Sequence, residues 1–381
     1  MKRMKNRGRM WLATLLSLCL LGSMTLLGCT QDKPAEQSQT PAAQAPELAA
    51  PAEYPTSIVD LAGRSVEFVA PVERAVAIAG PSYEKVFLLG QAHRLAGAHF
   101  YMVERPWVVA TNPAISSVAP ISSPGEPNVE GLLELGADAV LFWDYEEPLK
   151  SMEAVGLPVV VVQQPSGGNP TTLDEFIAYQ KAEVQVFADV FGGTAHNKAQ
   201  KWFDYFDQKV AFVQERVGAI PEAERKTALY AYGEEGLGLF SQYSYVSFWL
   251  ELAGGKNLAD ETGAEMDTVV TMEQIVAWNP DYLFAGRMDA TEAEAITQGA
   301  AWAELDAVKG NNVIICPDGV MYWDYSSEGV LLMEYLAQKM YPELFTDLDM
   351  VKEVQDYYTT FYDYTLSDEN AQRLLDHLPP A

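Results

Sequence analysis

Hydrophobic and polar positions follow one another along the chain in short blocks typical of an α/β protein. Continuous apolar runs at residues 75–79 and 159–162 predict buried strands of a parallel sheet, because such strands are covered on both faces. A helical stretch at residues 83–89 follows the first run and ends at Gly90. This alternation with short loops predicts mostly parallel sheets with helices packed on their faces.

The same pattern occurs on both sides of a central helical segment. Before it, the sequence predicts strands at 65–69, 75–79, 95–98, 139–142 and 159–162, and helices at 83–89, 129–135 and 152–155. After it, the sequence predicts strands at 228–232, 282–285 and 313–316, and helices at 246–253, 272–278, 302–308, 329–340, 350–361 and 368–375. The last two helices form a predicted tail.

The central segment predicts two helices separated by Gly192 and Gly193. The first begins after Thr171-Thr172, which resemble a capping box with Glu175. The second, at residues 195–217, has one apolar stripe and would be roughly 30 Å long, enough to cross between two lobes. We therefore expect an α/β fold of two Rossmann-like lobes with mostly parallel sheets, joined by a single long backbone helix. A single connecting helix also predicts modest hinge motion.

The N-terminus predicts export. Five Lys and Arg residues without an acid precede an apolar run at residues 10–27, as in a secretory signal. An uncleaved membrane anchor is the alternative. However, Leu26-Leu27-Gly28-Cys29 looks like a bacterial lipobox, in which the cysteine carries a diacylglycerol, and two acyl chains anchor stably. We expect an extracytoplasmic protein, lipid-anchored to the cell membrane on its periplasmic side or at the cell surface.

These patterns predict five regions in the chain. The Ala-, Pro-, Gln- and Ser-rich stretch after Cys29 has almost no large apolar residue and is typical of a tether. About 330 residues follow it, and this number is larger than a single hydrophobic core usually accommodates. The predicted regions are a signal peptide at 1–28, a tether at 29–54, an N-terminal lobe at 55–168, an inter-lobe helical segment at 169–225 and a C-terminal lobe with helical tail at 226–381.

Composition narrows the possible functions. The whole chain has a net charge of −28, and removal of the signal would leave 20 Lys and Arg against 53 Asp and Glu. This excess of acid argues against nucleic acid as a partner. The three cysteines and four histidines show neither a disulfide framework nor zinc-type spacing. We predict no bound cofactor, no metal site and no catalytic residue, because hydrolase elbows, P-loops and His-x-x-Glu-His-type sites are also missing.

A series of short motifs resembles the class III, or helical-backbone, periplasmic binding proteins, over about residues 55–345. The motifs are VDLAGR at 59–64, PVERAVA at 71–77, GQAHRLAG at 90–97, EPNVE at 126–130, AGGKN at 253–257, TMEQI at 271–275 and NPDYL at 279–283. The resemblance implies a substrate-binding protein of an ABC importer. It also implies that exposed acids dock on arginines of the permease, here Glu126, Glu130 and Glu273. As an alternative, Glu130 and Glu273 only stabilise helix N-termini.

Candidate ligand contacts lie where strands end, because ligands of open α/β sheets bind beyond the carboxyl ends of the strands. These candidates are Tyr83, Tyr101, Trp143, Tyr232, Tyr243, Arg287, Trp323 and Tyr325. Arg287 is the sharpest candidate, since a guanidinium can bind a carboxylate, catecholate or oxyanion. Its alternative role is a salt bridge to Asp289 or Glu292. Arg105 is a weaker candidate, and His99 is more often a hydrogen-bonding residue than a metal ligand.

The expected function is capture of a ferric siderophore or a similar metal chelate, such as cobalamin or haem, and its delivery to the membrane permease. The aromatic loops favour a broad bowl for such a ligand. Molybdate or tungstate is the alternative within the same fold. An extracytoplasmic enzyme and a structural surface lipoprotein are the rival classes, and we expect a monomer.

Overall fold

A computed structural model describes residues 54–163, 168–233, 235–288 and 290–381. The predicted signal peptide, Cys29 and all but the last residue of the predicted tether lie outside this described part. The described residues belong to one compact unit. Within the described part, no helix is long and apolar enough to cross a membrane.

The first sheet is fully parallel, with five strands in the order β5-β4-β3-β6-β7. A β1–β2 antiparallel hairpin precedes it. The strands are β1 Thr56–Val59, β2 Ser65–Phe68, β3 Ala75–Ala77, β4 Leu95–His99, β5 Ala119–Ile121, β6 Ala139–Trp143 and β7 Val159–Gln163. The helices are α1 Ser82–Leu88, α2 Tyr101–Glu104, α3 Pro106–Thr111, α4 Val129–Glu134 and α5 Glu146–Glu153. From β3 the chain adds β4 and β5 on one side of the sheet and then returns to the other side at β6, which leaves a crevice beyond the ends of these strands.

The second sheet is mixed, with the order β11-β9-β8-β12-β13 and β10 paired with β8. Strands β8, β10, β12 and β13 run parallel, whereas β9 and β11 are antiparallel additions at one edge. The strands are β8 Thr227–Tyr232, β9 Gly238–Phe240, β10 Lys256–Asn257, β11 Asp267–Val269, β12 Tyr282–Ala285 and β13 Val313–Ile315. The helices are α8 Tyr245–Leu252, α9 Met272–Trp278, α10 Ala290–Gln298, α11 Asp306–Lys309 and α12 Gly329–Met340.

Two long helices connect the sheets, α6 Leu173–Phe191 and α7 Thr194–Val217. Helix α7 begins beside the first lobe, where Thr194 accepts a hydrogen bond from Gln91 at 3.3 Å, and ends where Gln214 donates to the Leu252 carbonyl. The predicted two-lobed α/β fold with a long connecting helix is confirmed. Helix α6 also contacts both lobes, since Phe176 stacks on Phe248 of α8 at 4.9 Å and Glu183 lies 3.7 Å from Lys85 of α1.

The helical tail consists of α13 Met350–Phe361 and α14 Asp368–Leu375, with the predicted bounds. It packs on the second lobe and also reaches the first. The Tyr362 hydroxyl donates to Glu84 at 2.7 Å, and the Trp107 indole donates to the Leu378 carbonyl at 3.1 Å. The tail therefore ties the lobes together, although the sequence assigned it to the second lobe only. The residue boundaries of the regions themselves remain predictions.

Candidate functional site

A cleft of about 310 Å³ lies between the lobes, at the carboxyl ends of the parallel strands. Trp143 and Gln163 are the last residues of β6 and β7, and Arg287 follows β12 by two residues. The first lobe lines the cleft with Trp143, Tyr145, Gln163 and Asn169. The second lobe lines it with Phe240, Ser244, Tyr245, Val246, Met266, Asp267, Arg287 and Tyr325.

Arg287 is fixed by an ion pair and by aromatic rings. Its Nε and Nη2 atoms bind Oδ2 of the buried Asp324 at 2.8 and 2.7 Å. Its guanidinium lies 4.7 Å from the ring centre of Phe240 and 4.9 Å from that of Tyr325. Burial alone would lower the pKa of Arg287, but Asp324 outweighs it and raises the pKa, so the side chain stays charged. Asp324 thus holds Arg287, although the sequence predicted Asp289 or Glu292 as the alternative partner. Asp289 lies outside the described residues.

The backbone before Arg287 requires glycine. A Cβ atom on Gly286 would lie 2.2 Å from the Tyr230 ring, which is buried beneath the loop. Arg287 itself has φ of +55°, in the left-handed region that few non-glycine residues adopt. Close packing of the Gly286 backbone on Tyr230 therefore positions Arg287 so that its guanidinium lines the cleft. The left-handed backbone conformation of Arg287 is rare for residues other than glycine.

Five aromatic side chains line the cleft. The Tyr325 ring packs directly on Gly80, where a Cβ atom would lie 2.8 Å from it, and its centre is 5.7 Å from that of Tyr245. Trp143 stacks on Tyr145 at 5.4 Å and donates its indole N–H to Gln163 at 2.9 Å. Burial raises the pKa of Tyr325, so its hydroxyl is protonated at neutral pH.

A buried ion pair supports Tyr245 from behind. Its hydroxyl donates to Glu183 of α6 at 3.1 Å, and Glu183 lies 3.7 Å from the Lys85 ammonium of α1. Burial raises the pKa of Glu183, and Lys85 opposes that rise. Helix α6 therefore links Tyr245 of the second lobe to Lys85 of the first lobe through Glu183.

The structure brings three of the sequence-predicted ligand residues into the cleft: Trp143, Arg287 and Tyr325. Tyr232 lies beside it and donates its hydroxyl to Asp267 at 2.9 Å. Burial and that hydrogen bond raise the pKa of Tyr232 to about 12. Tyr243 has φ of +65° and packs half-buried against the main core rather than on the cleft lining.

Tyr83 and Trp323 are not placed in the cleft. Tyr83 is fully buried and donates its hydroxyl to the Val320 carbonyl at 3.2 Å, while Trp323 is 1% exposed and packs against Tyr335. In this structure both are core residues, because the loop at 316–328 covers Tyr83 and buries its own Trp323. Both were selected because they lie near the carboxyl ends of strands, but that position does not show whether a side chain points into the core or into the cleft.

Tyr101 and Arg105 line a separate inter-lobe cavity of about 290 Å³. Arg105 pairs with Asp318 at 2.7 Å and lies 4.3 Å from the Tyr322 ring centre. His99 is buried, accepts the Tyr101 backbone N–H at 3.3 Å, and has its pKa lowered by burial. Among the described residues, no group of three or more His, Cys, Asp or Glu side chains could hold a metal ion.

Sequence reasoning missed more than half of the cleft lining. The missed residues are Gln163, Asn169, Phe240, Tyr245, Val246, Met266 and Asp267. Gln163 could have been found, since it directly follows the predicted strand at 159–162. Phe240, Met266 and Asp267 lie on or beside the short edge strands β9 and β11, which the pattern did not predict.

The three predicted docking acids are exposed and occupy comparable places in the two lobes. Glu130 and Glu273 are each the second residue of a helix that follows an edge strand, β5 or β11. The helices are capped by Asn128 and Thr271, whose side chains accept backbone N–H groups at 3.3 and 3.4 Å. Hydrogen bonds from its own backbone N–H and from Thr271 lower the pKa of Glu273, so this carboxylate is ionised at neutral pH.

Beneath the cleft, two buried glutamates meet at the inter-lobe contact. Glu84 of α1 accepts the backbone N–H of Ser327 at 3.2 Å, and Glu328 accepts the Tyr358 hydroxyl at 2.7 Å. Burial, assisted by the nearby charge of Glu84, raises the pKa of Glu328 to about 8. Arg105 and the Met321 N–H oppose this rise. Glu328 therefore holds a proton in the folded protein near neutral pH.

This proton predicts a pH dependence of stability. Between pH of about 4.5 and 8 the unfolded chain releases the Glu328 proton while the folded protein keeps it, so stability falls as the pH rises, by up to about 1.4 kcal/mol per pH unit. We expect Glu328→Gln to reduce this slope in urea unfolding between pH 5.5 and 8, and the exposed Glu130→Gln to leave it unchanged. Burial also raises the pKa of Glu334 to about 8, so part of the pH dependence of stability should remain in both variants. Equal slopes in wild type and Glu328→Gln would contradict the assignment.

Two α/β lobes, a connecting helix and an aromatic inter-lobe cleft define a two-lobed solute-binding protein. Residues 76–320 match the family model described as periplasmic binding protein, and the chain belongs to this family. It is an extracytoplasmic solute-binding protein of the ABC-transporter type.

Several known proteins are similar to this chain. It is 28% identical over 275 residues to the molybdate-binding protein MolA of Haemophilus influenzae, covering 68% of this chain and 77% of MolA. The structure of MolA bound to molybdate has a TM-score of 0.73 and 25% identity, covering 82% and 99% of the two chains. The Helicobacter pylori protein CeuE with Ni(II) bound has a TM-score of 0.67 and 18% identity, covering 84% and 99%, and shares the fold.

Proposed function

We propose that this protein captures a metal chelate of the ferric siderophore type in the inter-lobe cleft and delivers it to an ABC importer permease. The observation that carries this proposal is the wall of aromatic rings around one arginine. Five of the described lining residues are aromatic, and rings offer broad apolar and π surfaces to a flat or bulky chelate.

The size of the cleft supports the same ligand class. A volume of about 310 Å³ lies at the lower end of the range for small-molecule sites. A tetrahedral oxyanion would fill a small part of this space and leave most rings without a contact. A chelate would cover the rings and extend toward the cleft opening.

Molybdate or tungstate is the second candidate, and the 28% identity to MolA favours it. Asn169, Ser244 and Arg287 carry hydrogen-bond donors on the cleft lining. An oxyanion would bind near these groups, at one end of the cleft.

We expect Arg287→Ala to weaken binding of the true ligand about 100-fold, because a central arginine stacked on aromatic rings is typical of residues that dominate binding energy. The measurement is calorimetric titration of the soluble chain beginning at Thr30 with ferric siderophores, cobalamin, haem, molybdate and tungstate. The matched control is Arg216→Ala, which breaks another arginine–aspartate pair, to Asp347 at 2.7 Å, on α7. The proposed site is wrong if both variants bind like wild type. Binding confined to molybdate and tungstate would replace the chelate by the oxyanion.

Docking on the permease and anchoring to the membrane are also part of the proposal, and they are based on the exposed acids and the N-terminal sequence. Glu130 and Glu273 present exposed carboxylates at corresponding helix starts, which suits a permease surface bearing arginines. Glu126 lies in the loop just before the first of these helices. The protein would act as a monomer, anchored through acylated Cys29, and would bind its ligand without turnover.

A further inference from the structure

The arginine in the cleft is already neutralised by the protein itself. Both Nε and Nη2 of Arg287 bind one carboxylate oxygen of Asp324, which is 2% exposed. A charge-assisted pair of this kind occupies one of the two edges through which the guanidinium can bind an anion. The Arg287 side chain is still 28% exposed and lines the cleft, so it meets the ligand with its charge balanced by Asp324.

The remaining charge on the cleft is negative. Among the described residues that line it, the formally charged side chains are Arg287 and Asp267. With Asp324 paired behind Arg287, the three groups sum to one negative charge. Two carboxylates close to the cleft would repel a polyanionic ligand, and such repulsion is a common means of excluding a wrong partner.

The loop at 316–328 repeats this arrangement at the neighbouring cavity. There Asp318 binds Arg105 at 2.7 Å, and Tyr322 lies between the two guanidiniums, 4.3 Å from that of Arg105 and 5.5 Å from that of Arg287. One loop of the second lobe thus supplies a counter-ion for an arginine of each lobe. The second pair offers a matched control outside the cleft.

We infer that Asp324 determines the charge selectivity of the cleft, making it prefer a chelate of zero or positive net charge over an anionic chelate or oxyanion. This inference rests on the proposed function, since it names the charge class of the proposed ligand. Asp324 acts by holding Arg287 and needs no contact with the ligand of its own.

The test compares two ferric complexes of similar bulk. In a ferric trihydroxamate the ligand charges cancel that of the metal, whereas a ferric tricatecholate keeps three negative charges. We expect wild type to bind the trihydroxamate at least 10-fold more tightly. Asp324→Asn preserves the size of the side chain and removes its charge, and it should shift this ratio at least 10-fold toward the tricatecholate. Asp318→Asn should leave the ratio at its wild-type value.

A double variant guards against misfolding of Asp324→Asn. Arg287→Gln/Asp324→Asn removes both charges of the pair and should again prefer the trihydroxamate, because Asp267 remains. A wild-type preference for the tricatecholate, or a ratio that Asp324→Asn does not move, would overturn the inference while the chelate function stands. No binding of either complex by wild type would instead contradict the proposed function.

Discussion

A chain that ends at residue 345 is expected to lose cooperative folding, although the family model matches only residues 76–320. The deleted segment contains Tyr357, Tyr358, Phe361 and Leu374, each no more than 1% exposed. Loss of one such aromatic side chain typically costs about 3–5 kcal/mol, and a whole domain is stable by about 5–15 kcal/mol. Removing three such aromatic side chains and Leu374 costs about 11–20 kcal/mol in total, which is comparable to or larger than that stability. Urea unfolding followed by tryptophan fluorescence would show a broad transition or none.

The matched control is a chain that lacks only Pro380 and Ala381. Both residues belong to the exposed or half-buried end of the tail, and the Trp107 bond to the Leu378 carbonyl is retained. This shorter deletion should unfold like the full chain. A sharp, wild-type-like transition for the chain ending at 345 would mean that the tail is an appendage and that its contacts to the first lobe contribute little.

Elements with clear start and stop signals were predictable from the sequence. Helix α9 has its predicted bounds because Thr271 caps its start and Asn279, with φ of +44°, ends it in the left-handed conformation. The capping box was right in position but differs in detail. The Glu175 carboxylate accepts the Thr171 N–H at 2.9 Å, whereas Thr172 is the N-cap residue. Local chemistry determines such boundaries, so local sequence reveals them.

Elements that depend on distant partners were not predictable. Strands β9 and β11 have three residues each and exist because they pair with each other and with β8. Tyr83 follows a strand end like Trp143, yet it is buried because the loop at 316–328 covers it from more than 230 residues away. The same holds for Arg287, whose partner Asp324 is 37 residues along the chain. Side-chain direction and pairing across the cleft are tertiary properties.

Replacing Lys85 with methionine is expected to lower the free energy of unfolding by about 3 kcal/mol at pH 8, because it leaves the Glu183 carboxylate buried without its counter-charge. Glu183 already has a raised pKa, and without Lys85 this pKa rises further. The folded variant then keeps the Glu183 proton to higher pH than the unfolded chain does. Its stability falls as the pH rises, so the loss should be smaller at pH 5 than at pH 8.

Urea unfolding of Lys85→Met at these two pH values measures the effect, and two comparisons identify its cause. In Lys85→Met/Glu183→Gln no charge remains to be buried, so most of the lost stability should return. Lys150→Met breaks a pair with Glu146 that is exposed on both sides, and it should unfold like the wild type. A loss that is equal at both pH values and persists in the double variant would assign the effect to packing of the lysine stem instead. In that case the Lys85–Glu183 ion pair would not be the interaction that stabilises the contact of α1 with α6 and Tyr245.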